Sequence, residues 1–306
     1  MLRRLEAVIA IGALLGLVGC ARTEPVAVVS PTSIPAATPT STPTRTPIPT
    51  PTRRSTPGRP APTDWSNLTD PVLHHKLYSA GKVPAVRCAL PQPNLTSKAA
   101  TVATAKVLVG CMDKAWAPVV EKSDAVLTPP EVFAYSSKRP AATPECSDPP
   151  TTSGAFYHWS GLTGKICFAV EKYLGADDPV ANTIDFQRMI AHEYGHHVQR
   201  SVGILTLYTE LMHGKSETGQ LEVLRRKELQ ASCLGAAFLG ANKAAFRLSG
   251  ERLEIWRYIV RHVGDEYSDV RDHGSRKNHG YWSIRAFDSA NPASCNTFTA
   301  PAKRVS

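Results

Sequence analysis

Within Ala191-His192-Glu193-Tyr194-Gly195-His196-His197-Val198-Gln199, two histidines stand four residues apart and a glutamate directly follows the first. On a helix, His192 and His196 leave the same face one turn apart. Two imidazole nitrogens so placed can both approach one Zn²⁺ at about 2 Å. Glu193 lies about 100° round that helix, in reach of a water beside the metal without ligating it. The chemistry this pattern offers is hydrolysis. A cation lowers the pKa of water towards 7 and polarises a carbonyl, and a carboxylate takes the proton and passes it to the leaving group.

Two histidines leave such a site one ligand short, because catalytic zinc usually has three protein ligands and an open position. The longer form His-Glu-x-x-His-x-x-Gly-x-x-His is excluded by Gln199 and Val202. A glutamate on a later helix is the alternative, and Glu228 is the best candidate. At 100° per residue, Leu221, Leu224, Ala231, Ser232, Gly235 and Leu239 all fall within about 60° of it. A carboxylate on that apolar, small-residue face is costly unless it is paired or on a metal. Glu222 falls with Arg226 on the opposite side, expected to be wet, and Cys233 points about 140° away from Glu228. Gly195, between the two histidines, would let another helix approach closely.

The elements that must position these residues follow from pattern. The motif helix can start at Asn182 or Thr183 and stops before Gly203. A long helix is expected over 216–240, and others over 96–120, 244–263 and from Tyr281 onward, with Pro118 ending or kinking the first. Three short β-like runs, 132–135, 156–159 and 165–170, come before the motif. Strands first and helices after give an α+β fold, mainly helical, with a small β-sheet preceding the motif helix. One domain is expected over 64–306, without internal repeats.

Upstream, residues 1–20 read as a signal peptide: basic at Arg3 and Arg4, apolar from Ala7 to Val18, and closed by Leu17-Val18-Gly19-Cys20. The ending resembles a bacterial lipoprotein signal, which implies Cys20 as the lipidated residue and an exported protein at the extracytoplasmic face of the cell membrane. Residues 21–63 are Pro/Thr-rich and read as an extended tether, reaching on the order of 130 Å at about 3.1 Å per residue. Six cysteines remain: Cys88, Cys111, Cys146, Cys167, Cys233 and Cys295. An even number in an exported chain argues for disulfides, with about fifteen connectivities open. Of the net charge of +9, seven arginines and two glutamates ahead of Asp64 carry +5. The rest forms no basic block in the sequence, which argues against a nucleic-acid partner.

Glu228-Leu-Gln-Ala-Ser-Cys233, after Arg225-Arg226-Lys227, resembles the Arg-Arg-x-Glu-Leu-Gln-Ala-Asp-Cys signature of the neutral zinc metallopeptidases of bacteria. The resemblance extends to Ser153-Gly-Ala-Phe-Tyr157, His192-Glu-Tyr-Gly-His-His-Val-Gln199, His273-Gly-Ser275, Tyr281-Trp282 and Asn291-Pro-Ala-Ser-Cys-Asn-Thr-Phe298. It implies a zincin-like fold with His192, His196 and Glu228 on Zn²⁺, Glu193 as general base, and a peptide or protein substrate. It also implies Cys146–Cys167 and Cys233–Cys295 pairs, leaving Cys88 with Cys111. Two positions depart from the pattern. Ser232 stands where Asp is frequent, so a hydroxyl takes the place of the carboxylate expected behind a ligand histidine; His279 stands where Arg is common. For the oxyanion, His273 in the polar turn Asp272-His273-Gly274-Ser275 is the expected partner, ahead of Tyr157 or Tyr281. Rival expectations are a catalytically silent lipoprotein that binds a wall or protein partner, and a peptidoglycan endopeptidase or amidase.

Overall fold

A computed structural model of the protein describes residues 70–88, 90, 93–139, 142–146, 154–161 and 163–306. The expected signal peptide, Cys20 and the tether lie outside the described residues, as does Ser153. The described residues form an α+β fold, mostly helical, with one three-stranded sheet. No helix among them is long and apolar enough to cross a membrane.

The sheet is built from β1 (Glu131–Tyr135), β2 (Ala155–Ser160) and β3 (Thr163–Ala169), runs rich in aromatic and branched residues that suit a half-buried pleat. β3 lies in the middle, parallel to β1 from Glu131↔Lys165 to Tyr135↔Ala169 and antiparallel to β2 from Ala155↔Phe168 to Ser160↔Thr163. β2 is thus an outer strand, joined to β3 by a turn in which Gly161 takes φ +60°.

Among the described residues, five long helices accompany the sheet: α1 (Lys98–Glu121), α2 (Pro179–Ser201), α3 (Glu217–Ala241), α4 (Gly250–Val260) and α5 (Arg276–Ser289). α2 carries the His-Glu-x-x-His motif and is the central one; every residue from Glu193 to Gln199 is buried. It starts one turn earlier than Asn182 or Thr183 would place it. Asp178 accepts from the N–H groups of Val180 and Ala181, Pro179 takes the first helical position, and Asn182 instead donates to the Tyr173 carbonyl.

α3 crosses α2 at backbone contact. A Cβ on Gly195 would strike the Ala231 carbonyl, and one on Gly235 would strike that of Ala191. α4 begins at Gly250 rather than near 244, because Arg247 and Gly250 adopt left-handed φ values of 53° and 52° and interrupt the expected run. α5 starts ahead of Tyr281, capped by the Ser275 side chain on the Asn278 N–H, and Pro118 sits in the last turn of α1.

The Glu222–Arg226 side of α3 is only partly wet: Glu222 stays half-exposed while Arg226 is covered. Arg226 donates to the carbonyls of Thr297, Phe298 and Ala300, so the C-terminal segment covers it. Disulfides join Cys88–Cys111, Cys146–Cys167 and Cys233–Cys295. The first described residues are sewn to the last: Asn296 Nδ2 donates to Leu73 O and Val83 N to Ala290 O, both at 2.8 Å. Gln230 of α3 donates to the Tyr78 hydroxyl at 2.8 Å, and Asn242 accepts from the Val86 N–H at 2.9 Å.

Candidate metal centre

The glycine-to-backbone crossing of α2 and α3 brings three groups together. His192 Nε2 lies 3.3 Å from Glu228 Oε2 and His196 Nε2 lies 2.9 Å from the same oxygen. Tetrahedral ligands at 2.0–2.1 Å from zinc stand about 3.3 Å from one another, so these spacings suit one shared cation. Side-chain exposure is 14%, 9% and 8% for His192, His196 and Glu228. The Glu193 carboxylate and the two imidazoles also offer ligand atoms within 4.8 Å of one another. A single oxygen of Glu228 faces both Nε2 atoms, whereas Glu193 directly follows the first histidine on the same helix.

Each ligand candidate is fixed from behind. His192 Nδ1 is 2.9 Å from Ser232 Oγ, and that hydroxyl is 3.2 Å from His279 Nδ1. His196 Nδ1 donates to Gln199 Oε1 at 2.8 Å, and Gln199 in turn donates to the Lys227 carbonyl and Gln230 Oε1, both at 2.9 Å. With both Nδ1 atoms engaged, the Nε2 lone pairs are left towards the cation position. Burial pushes the His192 imidazole down to about 3 and His279 to about 4, so both are neutral at ordinary pH, the form that binds metal. Burial alone would raise Glu228, but His196 and the Lys227 ammonium, 2.7 Å from Oε1, outweigh it and hold the carboxyl well below its usual range. A buried carboxylate whose one oxygen faces two imidazole nitrogens is the donor set a zinc ion fits.

Residues 85–298 match the family described as "Putative neutral zinc metallopeptidase". The chain belongs to this family. It is also 26% identical over 204 residues to a protein named "Uncharacterized protein YpfJ" in two strains of Escherichia coli, covering 63% of this chain and 69% of that one. No solved structure matches.

In this member of the family the three groups line an open cleft of about 600 Å³, with β2 along one side through Ala155, Phe156, Tyr157 and Trp159. Glu193, 5% exposed, faces the cleft, and burial pushes its carboxyl up to about 7. His273 stands on the rim, its side chain 51% exposed, with Nε2 3.9 Å from Glu228 Oε2. Its Nδ1 is 2.6 Å from Asp272 Oδ1, and its backbone N–H, like that of Gly274, donates to Asp265. Tyr157 also lines the cleft, but its hydroxyl pairs with His197 Nδ1 at 3.1 Å; Tyr281 lines a different hollow, under the Arg304 guanidinium.

Sequence reasoning passed over Gln199, Lys227, Arg188 and Asp265. Gln199 was legible as the i+3 neighbour of His196 on one helical face. Arg188 was legible as the i+3 partner of Asp185, which it meets at 2.7 Å before lining the cleft. Asp265 has no such signal, since only the folded loop brings it to His273.

Proposed function

We propose that the protein is an exported, membrane-anchored zinc peptidase of zincin-like fold that hydrolyses peptide bonds in the cleft beside β2. The observation that carries this reading is the convergence of His192 Nε2, His196 Nε2 and Glu228 Oε2, with a separate buried carboxylate, Glu193, turned to the same cleft. Bound by those three residues, zinc would supply Lewis-acid chemistry, making water more acidic and a carbonyl more electrophilic.

The chain's own residues do the rest. Glu193 accepts the proton of the attacking water and returns it to the departing amine; its raised carboxyl suits both halves of that transfer. Water adds to the carbonyl carbon, the C–N bond breaks, and an acid and an amine are released. His273 donates from the rim to the carbonyl oxygen as negative charge gathers there, held by Asp272 and Asp265. β2, as an outer strand, offers an edge along which an extended peptide can lie. Lys227 keeps Glu228 ionised.

Two glutamates with separate duties give two phenotypes. Glu228→Ala should lose zinc, lose the stability that a bound ion adds, and lose activity. Glu193→Gln should keep zinc and melting temperature while turnover on an unstructured protein falls by roughly 10²–10⁴. Parent-rate cleavage by Glu193→Gln would refute the peptidase mechanism, and a full equivalent of zinc in Glu228→Ala would place the third ligand elsewhere. Digesting purified wall beside a peptide library separates a protein substrate from a peptidoglycan one. Anchoring is tested separately: Cys20→Ala should release the protein from the membrane fraction, and unchanged retention would end the lipoprotein assignment.

A further inference from the structure

A second cavity, of about 290 Å³, lies away from the cleft between the N-terminal halves of α1 and α2 and the chain leading into α4. Its size is at the low end of ligand pockets, which begin near about 300 Å³. Val107, Leu108 and Phe246 give it an apolar wall. Three polar groups converge on it: Gln187 of α2, Arg247 and Arg252.

Two of these carry a buried atom without a partner. Gln187 is 3% exposed, yet its Oε1 has no hydrogen-bond partner, and Arg252 Nε is likewise buried and unpartnered. A buried polar atom without a partner is expensive, and natural structures rarely keep one without a use. Arg252 also sits near a like charge: burial and Arg247 both hold its guanidinium below the ordinary arginine value. No carboxylate from the described residues lines the cavity. Arg247 itself is held in the left-handed region at φ 53°, a cost that backbones at binding sites tend to carry. The first turn of the 23-residue helix α2, through Pro179 and Val180, completes the rim and favours negative charge.

A cavity with two cations, an orphan donor, an orphan acceptor and an apolar wall has a definite complement. We propose that it binds a carboxylate whose neighbouring carbon carries an N–H donor and an apolar side chain, the chemistry of a peptide's C-terminal residue. The carboxylate meets the Arg252 guanidinium, including Nε, with the positive charge of Arg247 beside it. The N–H donates to Gln187 Oε1, and the side chain rests on Val107, Leu108 and Phe246. This site does not rest on the peptidase reading, because none of its residues belongs to the metal centre.

The probe is N-acetyl-leucine, titrated into the full chain and followed by calorimetry. Saturable binding is expected, with N-acetyl-leucinamide and acetate each weaker by at least about tenfold, the size of one lost charge-assisted contact. Arg252→Gln should weaken N-acetyl-leucine by a similar factor while zinc content and melting temperature match the parent. Gln187→Met should weaken N-acetyl-leucine but leave isocaproate, which lacks the N–H, unchanged; this arm stands even if Arg252→Gln folds poorly. Absence of binding, equal binding of the amide or of acetate, or indifference to both substitutions overturns the proposal. Normal zinc content alongside absent binding would reject this site and leave the metal centre untouched.

Discussion

A single hydroxyl stands behind one proposed ligand, and that is where the site is softest. Ser232 Oγ accepts from His192 Nδ1 and meets His279 on its other side, so the imidazole is oriented by neutral groups alone. Ser232→Asp would put a carboxylate there, making His192 more basic; such partners are typically worth about 10–100-fold in metal affinity or activity. Chelator competition should therefore show tighter zinc in the variant, and equal or weaker zinc would mean that Ser232 does not support His192. The position of Ser232 was readable from its angle to Glu228 on an ideal helix. Lys227 was not: it lies about 100° from Glu228 by the same geometry, and only its long stem brings the ammonium back to Oε1.

Between elements, the decisive contact is the crossing of α2 and α3, where backbone meets backbone. Gly195→Ala would drive a methyl into the Ala231 carbonyl, and neither partner is a side chain that can swing aside. A loss of about 1–3 kcal/mol is expected, with weaker zinc, since the helices carry different proposed ligands. Gly110→Ala on α1 is the control. A Cβ there meets nothing within 4 Å, so the substitution should be neutral or stabilise by about 0.5–1 kcal/mol. Thermal melts of the two variants, with zinc content, decide it. The sheet runs were legible from β-favouring residues between turn residues, the long helix from its length without Pro, and the motif helix from its His-Glu-x-x-His spacing. The start of α2 was not, because Asn182 and Thr183 looked like caps while Asp178-Pro179 makes the better one. α4 was overextended because the left-handed turn at Arg247 occurs in a residue that gives no warning of it.

At the scale of the whole molecule, bridges and long-range bonds replace what a small sheet cannot hold. Cys233–Cys295 ties α3 to a segment 62 residues on, in the same region where Arg226 grips three carbonyls. Full reduction in native buffer should lower the melting temperature, with about 2–5 kcal/mol lost per bridge. An unchanged melt after verified reduction would show that the bridges are dispensable to the fold. The bridge partners followed from family resemblance, but nothing in the sequence announced that Leu73 and Asn296 would bond, 223 residues apart. That clasp sets an order in time. A chain that joins its distant ends to finish its core does so slowly and after local pieces have formed. α3, which holds Glu228, is gripped from both sides by that closure, through Tyr78 and through the C-terminal carbonyls. The socket is therefore expected to be completed late in folding. Zinc should accordingly bind the refolded apoprotein, the reverse of a zinc finger, where the ion must come first.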